Sequence, residues 1–170
     1  MSTIFTIGYE GTDIERFVTT LTNAGVVVLA DVRAVTVSRK RGFSKNGLRE
    51  RLAEAGIRYV HFRELGDPKA GREAARAGRF DAFRTIYGEH LVTPEAQRDL
   101  SALAHLVADR PTCLMCFERD PRTCHRTIVA QSLSSSGHEV WDLYVERLEL
   151  NDHAASRAGS RAHQGAAAAE

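Results

Sequence analysis

The run Val26-Val-Val-Leu-Ala30 is apolar at every position, follows directly on Gly25 and ends at Asp31. It is too short for a buried helix, and it lacks the polar alternation of a sheet with one wet face. A strand of this kind is covered on both sides, which implies a parallel sheet between layers of helices. Parallel strands also need long, usually helical, crossovers between them. That requirement organises the reading of the rest of the chain.

The flanking segments fit it. Thr3 to Ile7 reads as a β-branched strand ending at Gly8, and Thr12-Asp-Ile-Glu15 has the spacing of a capping box. Phe17, Val18, Leu21 and Ala24 share one helical face, with Gly25 as the stop. A basic loop from Arg33 to Phe43 leads to a helix over Lys45 to Ala55, with Ser44 as its expected cap and Gly56 as its stop. Ile57 to His61 is the third strand. Phe62 to Arg79, broken by Gly66, Pro68, Gly71 and Gly78, reads as irregular. Helices are expected over Phe80 to His90 and over Pro94 to Val107, the latter capped by Thr93. Thr112 to Phe117 is the fourth strand, a helix runs from about Thr123 to Ser135, and Val140 to Leu143 is the fifth strand. Strands alternating with helices give an α/β class: a three-layer Rossmann-like domain with a mainly parallel sheet of about five strands. It spans residues 1–150 as a single domain. Residues 151–170, rich in Ala, Gly, Ser, Arg and His without apolar periodicity, are expected to form a disordered tail.

Composition narrows the partners. A net charge of +1 gives no global case for duplex nucleic acid. Lysine occurs only at positions 40, 45 and 69, so the basic charge is carried mostly by Arg, which makes planar two-point contacts to phosphate or carboxylate. Three cysteines, two of them flanking a short apolar run, argue for a reducing cytoplasm rather than a secreted disulfide framework. No secretory leader and no membrane span are expected.

In parallel sheets, ligands bind beyond the carboxyl ends of the strands. Those ends carry Tyr9, Glu10 and Gly11 after the first strand, Asp31, Arg33, Ser38 and Arg39 after the second, and His61 after the third. After the fourth come Cys116 and Glu118, then Cys124-His125-Arg126. Glu118, Glu10, His125 and Cys116 are the candidate catalytic groups. Glu118 or Glu10 would serve as acid or base, and His125 as proton shuttle or hydrogen-bond donor. Tyr9, Gly11, Asp31, Arg33, Ser38, Arg39 and Arg126 are the candidate substrate-binding groups, with Asp31 orienting Arg33. The start of the helix at Thr123 adds amides that attract anions.

The cysteine spacing matches two motifs in part. Cys116 through Arg122-Thr123 matches the C-x5-R-[ST] spacing of cysteine-dependent phosphatases, but this loop has no Gly to let its amides converge and holds Glu118 and Asp120, which repel phosphate. Cys113-x2-Cys116 with Cys124 and His125 has the composition of a zinc site, yet an odd offset in a strand sends Cys113 and Cys116 to opposite faces. No complete metal site is expected. A partial one using Cys116, Cys124 or His125 stays open, as do nucleophilic and structural roles for Cys116 and Cys124, and no cofactor is specified.

Taken together, Thr6-Ile-Gly-Tyr-Glu-Gly11, Asp31-Val-Arg33, Ser38-Arg39, Gly42-Phe-Ser-Lys45, Gly56-Ile-Arg-Tyr59, Leu65-Gly66 with Pro68, Cys116-Phe-Glu118 and Cys124-His-Arg126 resemble the domain-of-unknown-function 488 family. The chain departs from that pattern at Thr36, where the family commonly has Pro, and Cys113 is no part of the family motif. The resemblance implies a compact Rossmann-like domain with a polar pocket and supplies no reaction. The residues themselves point to an enzyme, a hydrolase or transferase, acting on a small anionic substrate such as a phosphate-bearing or nucleotide-like compound. The alternatives are a non-catalytic nucleic-acid-binding or regulatory module working through the basic loop, and a thiol redox or metal-sensing protein.

Overall fold

The computed structural model describes residues 3–134 and 137–146. Five strands, β1 (Thr3–Gly8), β2 (Val28–Asp31), β3 (Arg58–His61), β4 (Thr112–Cys116) and β5 (Glu139–Leu143), form one sheet in the order β3-β2-β4-β1-β5. Every pairing in it is parallel. β2 and β4 are buried at every position, as an unbroken apolar run requires.

Helices cover both faces. On one side α1 (Ile14–Asn23) and α2 (Lys45–Glu54) bring Phe17, Val18, Leu21, Leu48 and Leu52 against Leu29, Cys113 and Met115. On the other, α4 (Phe80–Leu91), α5 (Pro94–Asp109) and α6 (His125–Ser134) bring Phe83, Tyr87, Leu103, Val107, Val129 and Leu133 against Ile4, Ala30 and Leu114. Cys113 therefore lies under the α1/α2 layer, opposite to Cys116 and the loop that leads into α6, as the strand register predicts.

This order creates the crevice. The chain leaves β1 and β2 toward the α1/α2 face but leaves β4, which lies between them, toward the α6 face. Loops that part in opposite directions open a space above the carboxyl ends of the strands. At its floor the chain passes so close that a Cβ on Gly8 would lie 1.8 Å from the carbonyl oxygen of Glu118. Only Gly fits there.

Several local expectations are corrected. The cap of α1 is Asp13 rather than Thr12: its carboxylate accepts from the Arg16 amide at 2.9 Å and also pairs with the Arg16 side chain. Glu15 is drawn instead to Arg51 on α2. Ser44 stands at the cap position of α2 but bonds Ser38 across the basic loop, through both the Ser38 amide and its carbonyl. The stretch read as irregular holds a 3-10 turn (Arg63–Leu65) and a helix, α3 (Lys69–Arg76). Pro68 stands just before α3, where proline costs nothing, and the helix carries Gly71 where the Asp67 carboxylate leaves no room for a side chain. Finally, α6 begins at His125, after a separate 3-10 turn over Pro121–Thr123. The Thr123 and Cys124 amides are therefore bonded to Asp120 and Pro121 carbonyls instead of pointing free at an anion. The tail expected over residues 151–170 lies outside the described residues.

Candidate functional site

Asp31 ends β2 fully buried, and an uncompensated carboxylate there would be costly. Arg33 neutralises it with a two-point pair, Nε to Oδ1 at 2.9 Å and Nη2 to Oδ2 at 2.7 Å, while the Tyr59 hydroxyl donates to Oδ2 at 2.6 Å. The Nη1 group of Arg33 donates to the Tyr9 hydroxyl and to the Phe43 carbonyl. Burial opposes the Arg33 charge, but the Asp31 pair and the Tyr9 oxygen outweigh it and raise its pKa. Tyr9 is itself stacked on Phe43 at 4.4 Å between centroids. Its hydroxyl contacts Ser38 Oγ at 3.4 Å, so the basic loop is tied to this cluster. Asp31 and Arg33, named together from the sequence, are thus in direct two-point contact.

Arg126 is fully buried and stands among the largest side chains in the core. Its Nε donates to Thr6 Oγ1 at 3.1 Å on β1, and Nη2 donates to the Arg119 carbonyl at 3.1 Å. Nη1 donates to the Glu118 carbonyl and lies 2.7 Å from Cys116 Sγ. Burial lowers the Arg126 pKa. This guanidinium gathers β1, β4 and the loop into α6 around one point, and it sits behind the crevice wall rather than on it.

Cys116 and Cys124 meet sulfur to sulfur across that loop, a contact that is a disulfide when the pair is oxidised. Glu118 Oε2 lies 3.3 Å from Cys116 Sγ. The ligand atoms of Cys116, Glu118 and Cys124 all fall within 4.8 Å of one another, and among the described residues they are the group able to hold a metal ion. His125 is buried beside them. Its Nε2 meets the Val32 carbonyl at 2.7 Å and its Nδ1 is 3.7 Å from Cys124 Sγ. Burial pushes the His125 pKa down to about 4, so the ring is neutral near pH 7, with Nε2 as the donor and Nδ1 carrying the lone pair.

The crevice has two lobes, of about 310 and 570 Å³, that share Asp67, Arg72, Arg76, Glu118 and His125. Glu10 and Cys124 complete the smaller lobe; Tyr9, Arg33, Lys69 and Phe117 line the larger. Lys69, Arg72 and Arg76 recur at helical spacing, so α3 presents a mainly cationic ridge to the space, with Glu73 on the same face paired to Lys69 at 3.8 Å. Sequence reasoning missed it, because the Gly and Pro residues around it read as a loop.

It also missed Asp67. This residue is buried, yet its Oδ1 has no hydrogen-bond partner. Burial, with Glu118 nearby and Arg72 opposing, pushes its pKa up to about 7. Burial likewise raises the pKa of Glu118. Two carboxyl groups whose charged forms are disfavoured thus share the crevice with Arg33, Arg72, Arg76 and the Lys69–Glu73 pair, and Glu10 stands at the smaller lobe. A signal was present in the sequence: Leu-Gly-Asp-Pro followed by Lys, Arg and Arg at helical intervals.

The other expected residues distribute as follows. Tyr9, Glu10, Arg33, Glu118 and His125 reach the crevice. Asp31 and Arg126 are buried behind it, and Cys116 is fully buried below Glu118. Gly11 turns with a φ of 74° at the exposed end of the β1 loop, and Arg39 is exposed on the basic loop; neither lines either lobe. Glu10 accepts from the Arg119 amide at 2.9 Å, bracing the two loops at the rim.

The family profile described as "Domain of unknown function DUF488" matches residues 13–133. The chain belongs to the DUF488 family. The matched span runs from the cap of α1 to the end of α6, so Asp31, Arg33, Asp67, the α3 ridge, Cys116, Glu118, Cys124, His125 and Arg126 all lie within the DUF488 domain. No curated protein and no solved structure matches the chain. Among the described residues no helix is long and apolar enough to cross a membrane.

Proposed function

We propose that the DUF488 crevice binds a small anionic, phosphate-bearing ligand and acts on it by acid–base chemistry, as a hydrolase or transferase. The observation that carries this reading is the buried Asp67 carboxyl, whose Oδ1 lacks any protein partner beside the Arg72–Arg76 ridge. Oδ1 itself is packed against Gly71 of α3, while the residue lines both lobes, so what faces the space is a carboxyl whose charged form burial disfavours. A carboxyl with a pKa of about 7 is also poised to give or take a proton near neutral pH.

In this scheme Lys69, Arg72 and Arg76 anchor the anion. Arg33, held rigid by Asp31, has one Nη2 hydrogen left to offer from the opposite wall. Tyr9 and Phe117 supply an aromatic side on which a flat group can rest. Asp67 is the acid–base group and Glu118 the neighbouring carboxylate that disfavours its ionisation. Neutral His125 accepts through Nδ1. Arg126 acts indirectly, by fixing the loop that carries Glu118. Arg39 and Ser38 belong to the basic loop at the approach to the pocket.

The test is a turnover screen of phosphate esters, nucleotides and an oligonucleotide with the wild-type chain and with Asp67→Asn. The reading expects a substrate that the Asn variant still binds but turns over at least about 100-fold more slowly. Equal turnover by Asp67→Asn, or a preference for the oligonucleotide lost on neutralising Arg39, Lys40 and Arg41 alone, would move the function away from this pocket.

A further inference from the structure

The paired sulfurs under Glu118 are not used by the anion-binding scheme. Three features distinguish them from an ordinary structural disulfide. Their Cα atoms are 7.5 Å apart, wider than the roughly 4.4–6.8 Å over which bridged cysteines are normally found. Glu118 Oε2 approaches Cys116 Sγ at 3.3 Å from the crevice side, and the carboxylate and both sulfurs fall within 4.8 Å of one another. On the other flank His125 holds its Nδ1 lone pair 3.7 Å from Cys124 Sγ while Nε2 is committed to the Val32 carbonyl.

We infer that Cys116, Cys124 and Glu118 form a binding site for a divalent zinc-class cation, with a crevice-borne ligand in the fourth position. Two thiolates bonded to one ion at about 2.3 Å each place their sulfurs near 3.7 Å apart, a spacing compatible with wide Cα separation. Donors of this mixture suit tetrahedral zinc better than hard cations. Charge also balances. Two thiolates and one carboxylate bring three negative charges, and the ion together with the Arg126 guanidinium, 2.7 Å from Cys116 Sγ, brings three positive ones. Binding releases one proton from each thiol. Because Glu118, Cys124 and His125 also line the smaller lobe, the ion would sit at the floor of the crevice with one position facing it. Glu118 then serves as ligand and Asp67 remains the acid–base group.

The site stands independently of anion binding, and its test reads the metal alone. The full chain, purified under reducing conditions, is titrated with Co²⁺ and then Zn²⁺. About one Co²⁺ per chain should bind, with the near-ultraviolet thiolate charge-transfer band and the strong visible bands of a tetrahedral site, and Zn²⁺ should displace it. Cys124→Ser should abolish the charge-transfer band or weaken Co²⁺ affinity at least about 100-fold, while Cys113→Ser, on the opposite face of the sheet, should leave the spectrum unchanged. Glu118→Gln should bind Co²⁺ with a shifted visible spectrum. The inference is overturned if the reduced wild-type chain shows no thiolate–Co²⁺ band, if Cys113→Ser abolishes the band, or if the fully reduced pair closes to a disulfide in air without Zn²⁺ slowing it.

Discussion

The Asp67 carboxyl gives a stability experiment with a definite sign. In the folded chain its pKa is raised from 3.8 to about 7 by burial, with Glu118 adding to the rise and Arg72 opposing it. The folded state therefore holds this proton to higher pH than the unfolded chain does. The group contributes no penalty below about pH 4, destabilises progressively between about pH 4 and pH 7, and exerts its full cost above that window. At about 1.36 kcal/mol per pH unit of difference the limit is roughly 4 kcal/mol. Asp67→Asn keeps the side chain neutral throughout, so the difference between variant and wild type isolates the titration. Glu118, Tyr87, Arg72, Arg76 and His125, which surround Asp67, are present in both proteins and largely cancel. Urea unfolding from about pH 4 to about pH 8 should give superimposable stabilities at the acid end and a variant more stable by roughly 2–4 kcal/mol at the alkaline end. Parallel curves, or a variant less stable at pH 8, would show that Asp67 is ionised and satisfied in the folded chain, and the reasoning about the pocket would lose its main support.

Three other outcomes follow from the same geometry. Arg126→Met removes the charge that Thr6, Cys116 and the Glu118 and Arg119 carbonyls share, and should cost about 3–5 kcal/mol in denaturant unfolding. Gly8→Ala places a Cβ against the Glu118 carbonyl, and should lower stability by more than about 2 kcal/mol and shift the near-ultraviolet signal of Tyr9 and Phe117. Arg33→Lys cannot keep both Asp31 oxygens, Tyr9 and Phe43 engaged, and should cost about 2 kcal/mol with a larger loss of ligand affinity than of stability.

The fold was legible where one physical rule acts alone. Val28 to Ala30 and Cys113 to Cys116 are apolar throughout because both faces are covered, and their helical crossovers follow from parallel pairing. The Asp31–Arg33 pair and the opposite placement of Cys113 and Cys116 follow from strand ends and strand register. What escaped was set by tertiary contact. Gly71 signals a loop by itself, and only the Asp67 carboxylate pressed against α3 explains why a glycine stands inside a helix. Arg126 looked like an anion anchor because Arg is seldom fully buried, and nothing local announces that Thr6 on a distant strand and two carbonyls await it. Asp13 displaced Thr12 as cap because it could satisfy Arg16 twice while Glu15 was taken by Arg51, on another helix.

The central claim is that the crevice is an anion site built on α3. Calorimetric titration of the wild-type chain and of Arg72→Ala/Arg76→Ala with inorganic phosphate, nucleoside monophosphates and nucleoside triphosphates tests it directly. The account predicts saturable binding of at least one of these to the wild type, weakened about 100-fold or more in the double variant while that variant remains folded. Binding that is equally tight in the double variant, or no binding of any anion by a folded wild-type chain, would contradict it.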